Sequence, residues 1–308
     1  ESYKVIVAEA AKNALGTENI YERVFITEPL MDGDRCVGAV GFSVRENKFY
    51  VFKSRATICA MGGAVHVFKP RSSGEGLGRA WYPPWNSGSS AYFTLKAGAE
   101  MTCQEVRFIP VRFKDAYGPV GAWFLLFKSR ATNAFGGEYM VERRDELENW
   151  KPYGMVKPIP ANLRNWLGML DVMEGKGPIY MRTEEALQKI ADEYKDDQKA
   201  YKKKMKELES EAWEDFLDMT ISQAILWAAS DVQPEEKSSE IAAAEPYFIG
   251  SHSGASGAWV SGPEDLAPPE YFWGYENMCT VKGLFAAGDA SGASSHKFSS
   301  GSHAEGRI

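Results

Sequence analysis

The amino-acid sequence predicts an α/β fold, in which strands and helices mix along the chain. Three observations predict it. Strand-like runs separated by turn residues follow one another between residues 23 and 60. Two apolar runs, at residues 58–61 and 283–287, each end at a glycine. By contrast, residues 183–230 contain neither glycine nor proline, which is typical of a helical region because both residues disfavour helix interiors.

The N-terminal elements follow from local signals. Residues 3–15 are rich in alanine and are followed by Gly16, so they predict a helix with a glycine at its C-terminal end. Three β-branched and aromatic runs then predict a β-meander, which leads into a buried strand. These runs are residues 23–29, 36–45 and 49–52, and the buried strand covers residues 56–61.

The remaining elements alternate with loops. Residues 91–98 predict a helix and residues 105–113 a strand. Between residues 187 and 219 most apolar residues recur every three or four positions, which predicts an amphipathic helical region. Thr183 is expected to be its N-cap. The glycine- and serine-rich end of the chain is expected to surround one buried strand.

Length, composition and charge exclude several classes of protein. With 308 residues, of which 44% are hydrophobic, the chain can form one large core or two domains. Its 35 basic and 42 acidic residues give a net charge of −7, which does not suit nucleic-acid binding. The chain has no apolar run of membrane-spanning length and no secretory signal. We therefore expect a cytoplasmic protein without membrane insertion.

The cysteines and histidines do not predict a metal site. The four cysteines, at positions 36, 59, 103 and 279, form no CxxC pair, and no histidine pair has HExxH spacing. Iron–sulfur and zinc sites usually need such clustered ligands. We therefore expect reduced, buried thiols and no metal in this chain.

The two strand–glycine junctions are the first candidate site. Gly62-Gly63 ends one apolar run, and Gly288-Asp289 ends the other. Glycine lets the backbone approach a phosphate or a ring, and an acid at a strand end can accept hydrogen bonds from ribose or ribityl hydroxyls. The alternative is two ordinary turns. The phosphate-binding GxGxxG motif is absent, since the glycine-rich residues 74–78 follow no strand.

Three further residues are candidates for contact with a ligand. Trp81 lies in an aromatic loop that also contains Asn86, where rings either fill a core or stack on a planar ligand. Arg112 alternates with Val111 and Phe113, so it is expected on the opposite face of a strand, where a guanidinium could bind an oxyanion. His252 lies in a loop of small residues and could donate a proton. A surface arginine and an idle histidine are the alternatives.

Five segments of the chain, taken in order, resemble a known family. They are residues 60–68, 78–83, 108–115, 118–128 and 288–292. The resemblance is to the α subunits of dissimilatory adenylylsulfate reductases, which are flavoproteins of the fumarate reductase and succinate dehydrogenase superfamily. It extends over essentially all 308 residues.

The resemblance implies a fold, a cofactor and a partner. The fold would be a Rossmann-like FAD-binding domain, made of residues 1–108 and 247–308, with an α+β capping domain inserted at residues 109–246. FAD would be bound without a covalent link, and a β subunit would carry two 4Fe–4S clusters. The family's N-terminal glycine fingerprint and C-terminal helical region would lie outside residues 1–308. We therefore expect these 308 residues to be inactive by themselves.

The resemblance also implies an activity and residue roles. Adenosine 5′-phosphosulfate (APS) would be reduced to sulfite and AMP through an adduct at flavin N5, or the reverse reaction would run. Arg112 and His252 would act at the sulfate end, with Trp81 and Asn86 beside the flavin. The adenosine wall would comprise Gly121, Phe124, Leu125, Arg164 and Phe298. The FAD contacts would comprise Gly62, Gly63, Glu75, Asp289, Ser300 and Ser302.

Two other functions stay open at this stage. One is a dicarboxylate-reducing flavoenzyme related to fumarate reductase, which would also need arginines and a histidine but would have less use for an adenosine wall. The other is a nucleotide- or flavin-binding module without turnover, which would be favoured if Arg112 and His252 pointed away from a common pocket.

Overall fold

The computed structural model describes residues 2–65, 86–105, 111–114, 120–157, 159–243, 248–249, 255–293 and 298–308. The chain divides into two compact units. Unit 1 comprises Glu1–Val67, Tyr82–Phe108 and Phe248–Ile308, and unit 2 comprises Phe68–Trp81 and Ile109–Tyr247. The three-part domain division expected from the sequence stays a prediction. The described residues mix helices and strands, which confirms the α/β fold class.

The helices are distributed over both units. Unit 1 contains three of the described helices: α1 Ser2–Leu15, α2 Ser89–Lys96 and α8 Phe298–Arg307. Unit 2 contains the other five: α3 Val120–Leu125, α4 Tyr139–Glu142, α5 Ala161–Met173, α6 Thr183–Glu193 and α7 Gln198–Ala229.

The strands are short, apart from those of the meander. In unit 1 they are β1 Val24–Asp32, β2 Arg35–Ser43, β3 Phe49–Lys53, β4 Thr57–Cys59, β5 Ala64–Val65, β6 Met101–Thr102, β11 Phe248–Ile249, β12 Gly257–Ala258 and β13 Leu284–Ala286. In unit 2 they are β7 Val111–Phe113, β8 Ala131–Thr132, β9 Ile179–Met181 and β10 Ser239–Ala243.

The predicted meander is confirmed. Strands β1, β2 and β3 form an antiparallel sheet in that order. The turn between β1 and β2 contains Gly33, whose φ of 59° lies in the left-handed region that favours glycine. Local signals were sufficient here because antiparallel neighbours need only a tight turn between them.

The prediction for β4 is only partly correct. It is a strand, and its Cys59 is buried in the core of unit 1, but Ile58 is 65% exposed. Parallel strands are usually covered on both faces, and among the described residues β4 pairs with β13 alone. The apolar run therefore indicates a strand that the described residues cover on one face.

The cysteines follow the prediction with one exception. All four are free, and Cys36, Cys59 and Cys279 are buried in unit 1. Burial raises the pKa of Cys59 to about 11 and that of Cys279 to about 12, so both thiols stay protonated at neutral pH. Cys103 is exposed, which contradicts its predicted burial: it directly follows β6, with a left-handed φ of 49°, and precedes a turn at residues 104–105.

Unit 2 is built around a four-stranded antiparallel sheet in the order β7-β10-β9-β8. Phe113, Met181 and Ile241 from this sheet pack with Leu167 of α5 and Trp227 of α7 in its core. The sheet positions β7 beside β10, where Arg112 pairs through its backbone register with Ala242.

One local prediction in this part of the chain is confirmed and two are corrected. The predicted helical region consists of two helices, because Asp197 Oδ1 accepts hydrogen bonds from the N–H groups of Lys199 and Ala200 and so caps α7. Thr183 is the first residue of α6 and not its cap, since its hydroxyl donates to the Lys237 carbonyl. Of the strand expected at residues 105–113, Glu105 lies in a turn and β7 begins at Val111.

In the described part of the chain, no helix combines the length and apolar composition that a membrane span requires.

Candidate functional site

The two strand–glycine junctions meet at one edge of unit 1. Strands β4 and β13 pair in parallel, with Ile58 opposite Phe285 and Cys59 opposite Ala286. The Ala287 N–H continues the pairing by donating to the Cys59 carbonyl over 3.1 Å. Carboxyl ends of parallel strands lie on the same edge of a sheet, where ligands bind in open α/β folds. The separation of 225 positions between Gly63 and Gly288 in the sequence therefore does not keep the two junctions apart in space.

At the first junction, the backbone conformation at position 62 requires a glycine. Its φ of 78° is in the left-handed region, and a Cβ there would lie 3.0 Å from Asn86 Nδ2. The Ser90 hydroxyl donates to the Gly62 carbonyl over 2.5 Å. Gly63 follows and leads into β5. The side chain of Asn86, another predicted site residue, therefore lies next to the position that a Cβ of residue 62 would occupy.

At the second junction, Gly288–Ala290 forms a 3-10 turn that contains the half-buried Asp289. Gly288 has a left-handed φ of 65°, and a Cβ on it would lie 3.3 Å from Ser302 Oγ of α8. Its N–H donates to Glu305 Oε2 over 2.8 Å. Asp289 and Ser302 are both predicted to contact a cofactor; Asp289 follows Gly288 in the chain, and Ser302 lies beside the position that a Cβ on Gly288 would occupy.

The segment that contains His252 connects two strands of unit 1. Strand β11 precedes it and pairs with β5, directly after Gly63. Strand β12 follows it and pairs with β6, and Thr102 of β6 donates a hydrogen bond to the Ala255 carbonyl over 2.7 Å.

Several predicted site residues lie outside what the structure describes. Three of them fall in segments without described coordinates, and three others have a described backbone only. The first group is Trp81, Glu75 and His252, and the second is Arg112, Phe298 and Ser300. Their roles stay predictions.

In unit 2, the strand alternation around Arg112 can be examined through its neighbours. Phe113 is 1% exposed in the core, and Val111 packs against the same cluster. Both flanking residues thus face the core, as the sequence pattern predicts for β7.

Helices α3 and α5 bring together two residues predicted for the adenosine wall. The Arg164 guanidinium carbon lies 4.7 Å from the centre of the Phe124 ring, which is within the range of a cation–π interaction. Ala122 and Trp123 of α3 are buried, whereas Phe124, Gly121 and Leu125 are partly or fully exposed. The partly exposed side of α3 is therefore the side that carries the predicted residues.

Arg164 lies at a small cavity inside unit 2. The cavity has a volume of about 30 Å³ and is lined by Val111, Tyr139, Arg164, Gly168, Ile179 and Ile241 among others. Burial lowers the pKa of the Arg164 guanidinium, while the nearby Tyr139 raises it. Arg164 Nε is buried and has no hydrogen-bond partner among the described atoms. A guanidinium in this state favours an additional acceptor or a planar ligand.

Two residues of these sites were missed by the sequence analysis. Glu305 contacts a backbone N–H 17 residues away, and no spacing rule in the sequence indicates such a pair. Tyr139 is 3% exposed and its ring lies against Gly168. A buried tyrosine resembles any core aromatic residue in sequence, so only its position beside Arg164 distinguishes it.

Comparison with known proteins gives consistent relatives, although no family model matches the chain. The chain is 53% identical over 320 residues to the adenylylsulfate reductase subunit alpha of Megalodesulfovibrio gigas, an alignment that covers 100% of the chain and 47% of that protein. The structure of adenylylsulfate reductase from the hyperthermophilic Archaeoglobus fulgidus matches with a TM-score of 0.88 and 59% identity, over 100% of this chain and 48% of that chain.

Two further structures extend the comparison. An adenosine-5-phosphosulfate reductase in complex with sulfite, described as a covalent adduct, matches with the same TM-score of 0.88, 59% identity and the same coverage. A quinol–fumarate reductase matches with a TM-score of 0.51 and 16% identity, over 87% of this chain and 40% of that chain, which indicates a shared fold.

The chain thus spans about half the length of the relatives it matches. Over that half, more than one residue in two is identical and the backbone superposes along the whole chain. Along its whole length the chain is therefore similar to part of the adenylylsulfate reductase α subunits.

Proposed function

We propose that the full-length protein reduces APS to sulfite and AMP with the help of FAD, or catalyses the reverse reaction. The observation that carries this proposal is the parallel pairing of β4 and β13, which brings Gly62 and Gly288 to one sheet edge in a chain 53% identical to a named adenylylsulfate reductase subunit. We also propose an iron–sulfur partner subunit, because the relative is named as an α subunit and this sequence has no CxxC pair. A cytoplasmic location is proposed as well.

The residues at the sheet edge fit a flavin nucleotide. Gly62 and Gly288 both have left-handed φ angles, and a Cβ at either would fill space beside Asn86 or Ser302. At Gly62 the missing Cβ would leave the main chain open to a phosphate or ring. Asp289 would accept hydrogen bonds from ribityl hydroxyls. Gly63, Glu75 and Ser300 are proposed as further contacts, and FAD itself would supply the two-electron chemistry.

The substrate residues would act through charge and stacking. APS carries negative charge on its sulfuryl and phosphate oxygens, which Arg112 and a protonated His252 would stabilise. Trp81 would limit the access of water beside the ring. The Arg164 guanidinium, already stacked on Phe124, would present its other face to the adenine, with Gly121, Leu125 and Phe298 completing the wall.

Competition between nucleotide and dicarboxylate tests this proposal. In the FAD-loaded full-length protein, we expect AMP to perturb the flavin absorbance at micromolar to millimolar concentration, and fumarate neither to cause the perturbation nor to displace AMP. The physical reason is that the stacked Arg164 and Phe124 suit a planar base and a dicarboxylate has none. Fumarate that bound at the flavin as tightly as AMP would contradict the proposal and favour a dicarboxylate enzyme.

A second prediction concerns Arg164 itself. We expect Arg164→Ala to weaken AMP binding about tenfold or more, because a partly desolvated cation–π contact contributes about 2 kcal/mol, and to leave the FAD content unchanged. Isothermal titration with AMP measures the effect. Arg164→Lys retains the positive charge but lacks the planar face that stacks on a base, so this variant should bind AMP nearly as weakly as Arg164→Ala does. Asn162→Ala, at an exposed position of the same helix, is the control. Wild-type affinity in folded Arg164→Ala would contradict the adenosine role.

A further inference from the structure

A carboxylate from the last helix holds the turn at the second glycine junction. Glu305 of α8 accepts the Gly288 N–H over 2.8 Å. The two residues are 17 positions apart, and residues 294–297 between them lie outside the described part of the chain. The contact therefore depends on how α8 packs and not on local sequence.

The geometry of the turn explains why this N–H needs an acceptor. The preceding N–H, of Ala287, is donated to the Cys59 carbonyl, and the turn closes through the Ser291 N–H to the Gly288 carbonyl over 3.0 Å. The Gly288 N–H lies at the start of the 3-10 turn, where intrahelical partners are lacking. Glu305 supplies an ionisable acceptor, and bonds to charged acceptors are the stronger ones.

A second residue connects α8 to the strand below the turn. The Asn277 side chain donates to the Glu305 carbonyl over 3.3 Å. The Asn277 carbonyl accepts the N–H of Ala286, the last residue of β13, over 3.1 Å. Asn277 has a left-handed φ of 57°, which asparagine tolerates better than most residues. Asn277 therefore binds both the end of β13 and the backbone carbonyl of Glu305.

From these contacts we infer that Glu305 is a positioning residue, which fixes the Gly288–Ala290 turn so that Asp289 is presented to FAD. The inference rests on the proposed function. Because Gly288 N–H is donated to Glu305, we place the cofactor contact of this turn at Asp289 and not at Gly288. Without the carboxylate, the Gly288 N–H loses this acceptor and the turn gains conformational freedom, which the cofactor must then restrict on binding.

Three substitutions at Glu305, made in the full-length protein, distinguish the effect of side-chain length from the effect of charge. Glu305→Gln keeps an acceptor oxygen at the same distance. Glu305→Asp keeps the charge but is one methylene too short, and Glu305→Ala removes both. Glu270→Ala, which removes an exposed carboxylate from the same unit, is the control. The measurements are the FAD dissociation constant of the deflavinated protein, followed by flavin fluorescence, and the visible circular dichroism of the bound flavin.

We expect Glu305→Ala and Glu305→Asp to raise the FAD dissociation constant on the order of tenfold and to change the visible dichroism. Glu305→Gln should restore most of both, and Glu270→Ala should match the wild type. Wild-type behaviour of folded Glu305→Ala, or a Gln variant as defective as the Ala variant, would overturn this inference but leave the proposed function standing. A wild-type protein that takes up no FAD would overturn the proposed function and this inference with it.

Discussion

Replacing Arg112 by alanine in the full-length protein, assembled with the proposed partner subunit, is expected to lower the rate of the proposed APS reduction about 10²–10³-fold, since one preorganised donor to developing negative charge contributes on that scale. We expect His252→Ala to have a similar effect. The flavin absorbance spectrum should stay unchanged in both variants, because neither residue is proposed to hold the cofactor. Steady-state assays of AMP release and visible spectra measure the two properties together.

Controls separate the chemistry from structural damage. Arg112→Lys keeps one positive charge but not the planar fork that grips an oxyanion through two bonds, so an intermediate rate is expected. Arg144→Ala removes an exposed arginine from the same unit and should leave the rate unchanged. If both Arg112→Ala and His252→Ala lost the flavin, the two residues would be structural, and the proposed roles at the sulfate end would be wrong.

The second large effect is expected from Asp171 of α5, whose side chain is fully buried in unit 2. Its carboxylate accepts hydrogen bonds from Asn133 Nδ2 over 2.8 Å and from Arg143 Nε over 2.5 Å. Asp171→Ala leaves the Arg143 guanidinium without its buried partner, and breaking a buried pair in this way costs about 3–5 kcal/mol. Urea unfolding followed by circular dichroism measures this loss in the free energy of unfolding.

The same arginine provides a matched control for Asp171. Arg143 also pairs with Glu174, whose side chain is 50% exposed. Glu174→Ala should cost no more than about 1 kcal/mol, because solvent screens exposed pairs. If Asp171→Ala proved no more destabilising than Glu174→Ala, the buried network would not stabilise unit 2 as we argue.

The pH dependence of this network has a defined sign. Burial alone would raise the pKa of Asp171, but hydrogen bonds from Asn133 and Arg143 bring it below its ordinary value. A carboxyl whose folded-state pKa is depressed stabilises the fold above its unfolded pKa of about 3.9 and loses that contribution as pH falls through the folded value. The stability difference between wild type and Asp171→Asn should therefore be constant near pH 7 and shrink below about pH 4, as measured by urea unfolding across that range.

Much of the fold could be predicted where the signal is local. The meander, α1 and α2 follow from turn residues, glycine positions and alternation, and each lies within a few residues of its predicted bounds. The helical region was predicted from apolar spacing that continues across it, without an internal boundary. The cap at Asp197 interrupts it through two side-chain hydrogen bonds, which apolar periodicity does not indicate.

The candidate site could be predicted as residue types but not as contacts. A glycine at the end of an apolar run indicates a junction, and Gly62 and Gly288 were identified on that basis. Their common edge depends on the parallel register of β4 and β13, which joins segments more than 220 positions apart. The bond from Gly288 to Glu305 could not be anticipated, since every residue type except proline can donate its backbone N–H to a carboxylate.

By itself the sequence determined the fold class, the meander with helices α1 and α2, the glycines that end the two junction strands, and the resemblance to adenylylsulfate reductase α subunits, because each of these depends on residue identities at short range or on direct alignment. Only the tertiary structure decided that Arg164 stacks on Phe124, that Asp171 holds Arg143, and that α8 supports the second junction. Such pairs are selected by packing between elements distant in the chain. That selection depends on shape and on the need to satisfy buried polar groups, neither of which a linear pattern records.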